Sequence, residues 1–168
     1  MNVLDTNRIT RFAPYRVWSE DNEYRFETDN GILYAVNFEP ESMLGGIPAY
    51  WFGLANRSQK ASPGDVKIRA TVTCIIEEFF RANPDILLYL CDSANDQQAM
   101  RSRLFLRWFN AYAGQQDFYI RSEVVVDEGE ENYITLIVQR SHPQLLSVIA
   151  TFDTVIEQFK TNKPQQKI

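Results

Sequence analysis

The stretch SPGDVKIRATVTCIIEEFFRANPDILLYLC, Ser62 to Cys91, changes its hydrophobic period once, and that change decides the fold class. Ile68, Val72, Ile75, Ile76 and Phe79 recur at the three-four spacing of a single helix face. Ser62 reads as the N-cap of this helix, Pro63 as its first residue, and Asp65, three residues after the cap, as the partner in a capping box. Asn83-Pro84 stops it, because the residue before a proline is pushed out of the helical region. DILLYLC then runs apolar without alternation, the pattern of a strand covered on both faces. A helix therefore leads straight into a central strand.

Upstream, residues 15 to 56 read as strands. EYRFETDNGILYAVNF alternates Tyr24 and Phe26, then Ile32, Tyr34, Val36 and Phe38, around Asp29-Asn30-Gly31, and Asn-Gly is a strong hairpin signal. After the glycine- and proline-bearing loop EPESMLGGIP, AYWFGLAN supplies a third strand. Downstream, a second helix is expected over roughly 95 to 113. FYIRSEVVV and YITLIVQR then form a hairpin around DEGEEN, and SHPQLLSVIATFDTVIEQFK closes the chain as an amphipathic helix with Leu145, Ile149, Phe152, Ile156 and Phe159 on one face. The order β-β-β-α-β-α-β-β-α predicts a single α+β domain over residues 1–160 with a mostly antiparallel sheet, and a flexible C-terminal tail at 161–168.

The bulk composition narrows function by exclusion. Across 168 residues, 45% are hydrophobic and 23% charged, the balance of a globular chain with one core. The net charge of -5, from 22 acids against 17 bases, gives no overall attraction to nucleic acid or to an anionic membrane. Neither a signal-peptide run nor a membrane span is visible, so the cytoplasm is the expected location. The two cysteines, Cys74 and Cys91, lack framework spacing and suit reduced thiols. A single histidine, His142, excludes a metal site built from several imidazoles, so no metal is expected.

CDSANDQQAMRSRLFLRWFNAYAG, Cys91 to Gly114, carries the anomaly. On a helical wheel Met100, Leu104, Phe105, Trp108 and Tyr112 share one face, and Arg101 projects into the middle of it, with Gln97 one turn earlier. Arg103 and Arg107 fall on the opposite, solvent side. A guanidinium stays charged, so a buried Arg101 needs a carboxylate, carbonyls or a bound anion. Asp92 is the nearest acid, and the capping residues that follow it, Asn95 among them, bring a helix N-terminus to the same corner. Asp92, Asn95, Gln97 and Arg101 thus form either an internal ion pair with its polar frame or a site for a small polar ligand. Cys91 is a small hydrophobe or a reactive thiol beside that helix end. Glu77-Glu78 and the acids from Asp127 to Glu131 lack the ligand spacing of a calcium loop and read as solvated. Tyr15, Trp18, Tyr24 and Trp51 serve either as core or as an exposed platform for a partner.

PGDVKIRATVTCIIEEFFRANP through LLYLCDSANDQQAMRSRLFLRWF, with the YRFETDNGILYAVNF hairpin, the Cys91-Asp92 strand end and the R-x-x-LF-x-x-WF pattern from Arg101 to Phe109, resembles a family of short bacterial proteins frequent in Bacteroidetes. That family is known only as a domain of unknown function, and the resemblance spans about residues 20 to 140. The order of elements is also similar to the core of the GNAT acetyltransferases. That likeness implies acetyl-CoA as cofactor, its pyrophosphate held by the turn before the first long helix, here Ser62, Gly64 and Asp65. GNAT enzymes use a glycine-rich turn there, whereas RSQKASPGD has only Gly64 and a proline that lacks the donor. The expectation is a non-enzymatic module, without cofactor, that binds a protein partner or a small polar ligand. A divergent acyltransferase and a homodimer buried through the aromatics of the meander are the alternatives.

Overall fold

The computed structural model describes residues 1–42, 44–62, 64–91, 107, 114–127 and 130–161. The protein is α+β. Helix α1 (Thr6–Phe12) precedes strands β1 (Val17–Glu20), β2 (Glu23–Glu27), β3 (Leu33–Glu41) and β4 (Ala49–Asn56). Helix α2 (Val66–Ala82), strand β5 (Ile86–Cys91), a 3-10 turn (Gln115–Asp117), strands β6 (Phe118–Asp127) and β7 (Glu130–Gln139) and helix α3 (Leu145–Thr161) follow. The seven strands form a mostly antiparallel sheet in the order β1-β2-β3-β4-β5-β7-β6. The second helix expected over 95 to 113 lies outside the described residues except for Arg107, which is helical and exposed on the solvent side, as its wheel position predicts.

The chain divides into two compact units. The first comprises residues 1–39 and 52–84. Its core is aromatic: Phe26 stacks between Tyr15 at 6.0 Å and Tyr34 at 5.5 Å, while Phe38 stacks on Phe79 of α2 at 4.8 Å. Ile68, Val72, Ile75, Ile76 and Phe79, the predicted face of α2, are all buried. Tyr15 and Tyr24 are buried as well, so they belong to this core and not to an exposed platform.

The hairpin forms around Asp29-Asn30-Gly31 as expected: Thr28 N–H donates to the Ile32 carbonyl at 3.0 Å, Gly31 N–H donates to the Thr28 carbonyl at 2.8 Å, and Gly31 takes the left-handed conformation. A two-residue turn that the sequence did not announce lies earlier, between β1 and β2, where Asp21 (φ 53°) and Asn22 (φ 61°) join Glu20 to the opposing Glu23. Two successive left-handed residues are the requirement of a type I′ turn, and Asp and Asn accept that conformation more readily than other non-glycine residues. Strand β1 lies within the stretch from 15 to 56 read as strands and adds a fourth to the three expected there, and helix α1 precedes it.

The second unit comprises residues 40–51 and 85–168. Strand β5 is buried on both faces at Ile86, Leu87 and Leu88, as its unbroken apolar run requires. Helix α3 lays Val148, Phe152 and Ile156 over one face of β5, β7 and β6, in a cluster with Leu88, Ile134 and Leu136. Leu44 joins this cluster from the β3–β4 loop, which turns on Gly45 and Gly46 with φ of 65° and 83°. Trp51 packs against the same cluster, and its indole N–H donates to Glu41. The β6–β7 hairpin is tighter than DEGEEN suggested, because both strands run on to Asp127 and Glu130.

Candidate functional site

Asp92, Asn95, Gln97 and Arg101 lie outside the described residues. The strand that feeds their corner is in place: β5 ends at Cys91, opposite Tyr133 of β7.

Ser62, Gly64 and Asp65 stand before α2, which begins three residues later than the Ser62-Pro63 signal places it. Asp65 is the N-cap, and its Oδ1 accepts from Lys67 N–H at 2.8 Å. Its Oδ2 accepts from the Tyr15 hydroxyl at 2.5 Å, and that hydroxyl accepts in turn from Asp29 N–H at 3.3 Å. Lys67 Nζ lies 2.5 Å from Asp29 Oδ2 and closes the group. The Tyr15 hydrogen bond holds the Asp65 carboxyl below the usual carboxylate range, whereas burial, reinforced by Asp65, pushes the Tyr15 phenol up. This helix end thus carries its own anion, which takes an amide that a bound phosphate would use. Sequence reasoning missed the quartet because Tyr15 and Asp29 come from segments 36 to 50 residues away, and no local pattern joins them to Asp65.

A second polar cluster surrounds Glu78. Far from being solvated, its side chain is only 3% exposed. It accepts from Asp5 N–H at 3.2 Å and from Arg81 Nε and Nη2 at 2.7 and 2.6 Å, and Arg8 Nε lies 3.2 Å away. The Arg81 hydrogen bonds hold the Glu78 carboxyl below its ordinary range despite burial. The chemistry is that of a clasp, in which a buried acid on α2 ties down α1, whose own N-cap is Asp5.

Two further reactive side chains, Cys74 and His142, are among the described residues. Burial, with Glu77 adding to it, pushes the Cys74 thiol up and makes it a poor nucleophile. His142 uses Nδ1 to accept from Gln144 N–H at 3.1 Å, one turn before α3. Among the described residues no group of three His, Cys, Asp or Glu side chains is arranged to hold a metal, and no helix is long and apolar enough to cross a membrane.

The outer edge of β6 is the feature that the composition did not announce. It is a ten-residue strand at one end of the sheet order, FYIRSEVVVD, and no described strand pairs with its far side. Strand β1, at the other end, has four residues. Arg140 N–H donates to the Asp117 carbonyl at 2.8 Å, and the register continues with Phe118 opposite Gln139. Because backbone groups alternate sides along an antiparallel strand, the odd-numbered residues of β6 turn N–H and C=O to β7. Ile120, Ser122, Val124 and Val126 turn theirs outward. Val124 and Val126 are each 40% exposed. On the face under α3, Arg121 donates to Glu123 at 2.8 Å and forms an ion pair with Asp153 at 2.5 Å, while Lys160 lies 3.4 Å from Glu123.

A helix clasped by a buried acid, a self-capped α2 and a long sheet edge that no described strand pairs with define an α+β protein whose described polar clusters hold the fold together. Residues 64–154 match a family of unknown function, DUF6169, and the chain belongs to that family. The match covers α2, the stretch that contains Arg101, and the β6–β7 hairpin, and leaves out the YRFETDNGILYAVNF hairpin. No curated protein and no solved structure matches the chain.

Proposed function

We propose that this protein is a non-enzymatic binding module that takes up an extended protein segment along the outer edge of β6. The observation that carries the reading is the phase of that strand: Ile120, Ser122, Val124 and Val126 direct backbone donors and acceptors away from β7, beside exposed valines. Long edges of this kind are normally blunted by proline, lysine, a bulge or inward-pointing charges; β6 has the charges Arg121 and Glu123 but neither proline nor lysine, and its outward main-chain groups are a template for strand addition. Main-chain bonds would supply affinity there, and contacts at alternate side chains would supply selectivity. A cytoplasmic setting is part of the proposal and is supported by the free Cys74 thiol.

The competing reading, a divergent GNAT-like acyltransferase using acetyl-CoA, asks for open amides at the start of α2. The Asp65 carboxylate already takes the Lys67 amide and would meet a pyrophosphate as a like charge, which is why we favour the binding module. Protection of residues 58–70 from hydrogen exchange by millimolar acetyl-CoA would reverse that preference.

The direct test places a photo-crosslinking phenylalanine analogue at Val124 or Val126 in the producing cell. The expected product joins the β6 edge to one extended segment of a protein. Labelling at neither position, with equal expression and efficient labelling of a control site in a known complex, would refute strand addition.

A further inference from the structure

The strand at this edge is complementary to itself. We propose that the segment taken up is β6 of a second copy, the two strands running antiparallel about a twofold axis through Ser122; this rests on the strand-addition reading above. In that register Ser122 faces Ser122, Ile120 faces Val124, and Phe118 faces Val126 of the other copy. Arg121 faces Glu123 of the other copy, and by symmetry the opposite pair forms again.

Three independent features select this register. The first is backbone phase. Ile120, Ser122, Val124 and Val126 are the residues that turn their N–H and C=O outward, and pairing through Ser122 sets these even-numbered residues against one another, so each becomes a hydrogen-bonded pair. An axis through any odd-numbered residue of β6 would bring together groups already committed to β7.

The second is charge. Arg121 and Glu123 are the ionisable residues between Tyr119 and Val126, and they stand symmetrically about Ser122. Only with the axis there does each meet its opposite, and opposite charges facing across a ladder stabilise it while like charges disfavour it. Asp153 and Lys160 of α3, which face Arg121 and Glu123, keep the signs alternating around the pair. The ends of the overlap set position 117 against position 127, both Asp, the one like-charged pairing of this register.

The third is length. Moving the axis by two residues, to Ile120 or Val124, keeps the backbone phase but shortens the overlap and leaves Arg121 and Glu123 no longer facing each other. The centred register engages the strand from Phe118 to Val126. It also sets β-branched and aromatic side chains opposite one another on both faces, the cross-strand combinations that favour pairing.

The test reads register and stoichiometry on the full chain. Hydrogen-bonded partners in an antiparallel ladder have Cα atoms about 5.5 Å apart, within the roughly 4.4–6.8 Å that a disulfide spans. Ser122→Cys should therefore link to itself under mild oxidation, with the bond mapped by mass spectrometry to residue 122 in both chains. Val124→Cys should not link to itself, but should link to Ile120→Cys when the two variants are mixed. In sedimentation, Arg121→Glu should weaken the dimer by about tenfold, because two attractive pairs become repulsive. Adding Glu123→Arg should restore part of it, because the pairs between copies return while Asp153 and Lys160 now face like charges, and a loss of folding would give no rescue.

Monomers at all concentrations up to about a hundred micromolar, or a dimer linked at other positions, would overturn the proposal. If the probes at Val124 and Val126 then capture a different protein, strand addition stands and self-pairing falls. If they capture nothing, both fall.

Discussion

Replacing Glu78 by glutamine removes a charge while keeping the volume, and the clasp gives its cost. Four donors converge on the carboxylate: Asp5 N–H, the Arg8 guanidinium and two nitrogens of Arg81. Hydrogen bonds to a charged group contribute about 1.5–3 kcal/mol each, which would give a large loss if every partner were stranded. Arg8 and Arg81 are half exposed, however, and return to water when the acid is gone, while the glutamine oxygen keeps one acceptor. A net loss of about 2 kcal/mol follows, or a fall in Tm of about 4–8 °C for a chain of this size.

The pH dependence gives the sharper signature. The Glu78 carboxyl is held below its ordinary range, chiefly by Arg81, so its contribution is complete above the unfolded carboxylate range and is lost as pH falls through the folded value. Urea denaturation of both proteins from pH 7 to pH 3 should show the gap closing as the solution becomes acidic. The double variant Arg8→Ala/Arg81→Ala should be less stable than Glu78→Gln, because it leaves a buried carboxylate without a counter-ion. A gap that stays constant over that range, or a Glu78→Gln protein as stable as the parent at pH 7, would refute the reasoning.

Tyr15→Phe should cost about 1–2 kcal/mol and speed amide exchange at Asp29, whose N–H loses the phenolic acceptor; unchanged exchange there would break the link between Tyr15 and the start of α2. With its thiol pushed up by burial, Cys74 should react with iodoacetamide at neutral pH at least about tenfold more slowly in the folded chain than in urea, and equal rates at that peptide would contradict the burial of the sulfur.

Long periodic segments were legible because their pattern records a single burial direction. The α2 face from Ile68 to Phe79, the stop at Asn83 and the two-sided burial of Ile86 to Leu88 came through for that reason. Features set by distant partners did not. Ser62-Pro63 is the stronger local start signal, yet the helix begins after Asp65, where the Tyr15 hydroxyl fixes the capping carboxylate. Helix α1 has seven residues, too few to be marked by period, and is held by Glu78 from elsewhere in the chain. Asp21-Asn22 lacks the glycine that usually announces a type I′ turn. Glu78 itself reads as a surface acid until both arginines are in place. The outer position of β6 follows from strand order, which no property of FYIRSEVVVD on its own determines.

The segment before α1 is fastened to the far end of α2. Asn2 N–H donates to the Asn83 side chain at 2.6 Å, its amide donates to the Ala82 carbonyl at 2.8 Å, and the first bond spans 81 positions of sequence. At translation rates of about 5–20 residues per second, Asn2 therefore waits roughly 4–16 s for its partner to be made. During that interval α1 has neither Glu78 nor Asn83 to hold it, and only the bonds to Val17 and Tyr24 are within reach. The segment before α1 thus locks only once the end of α2 has been made, although half of the sequence is still to follow.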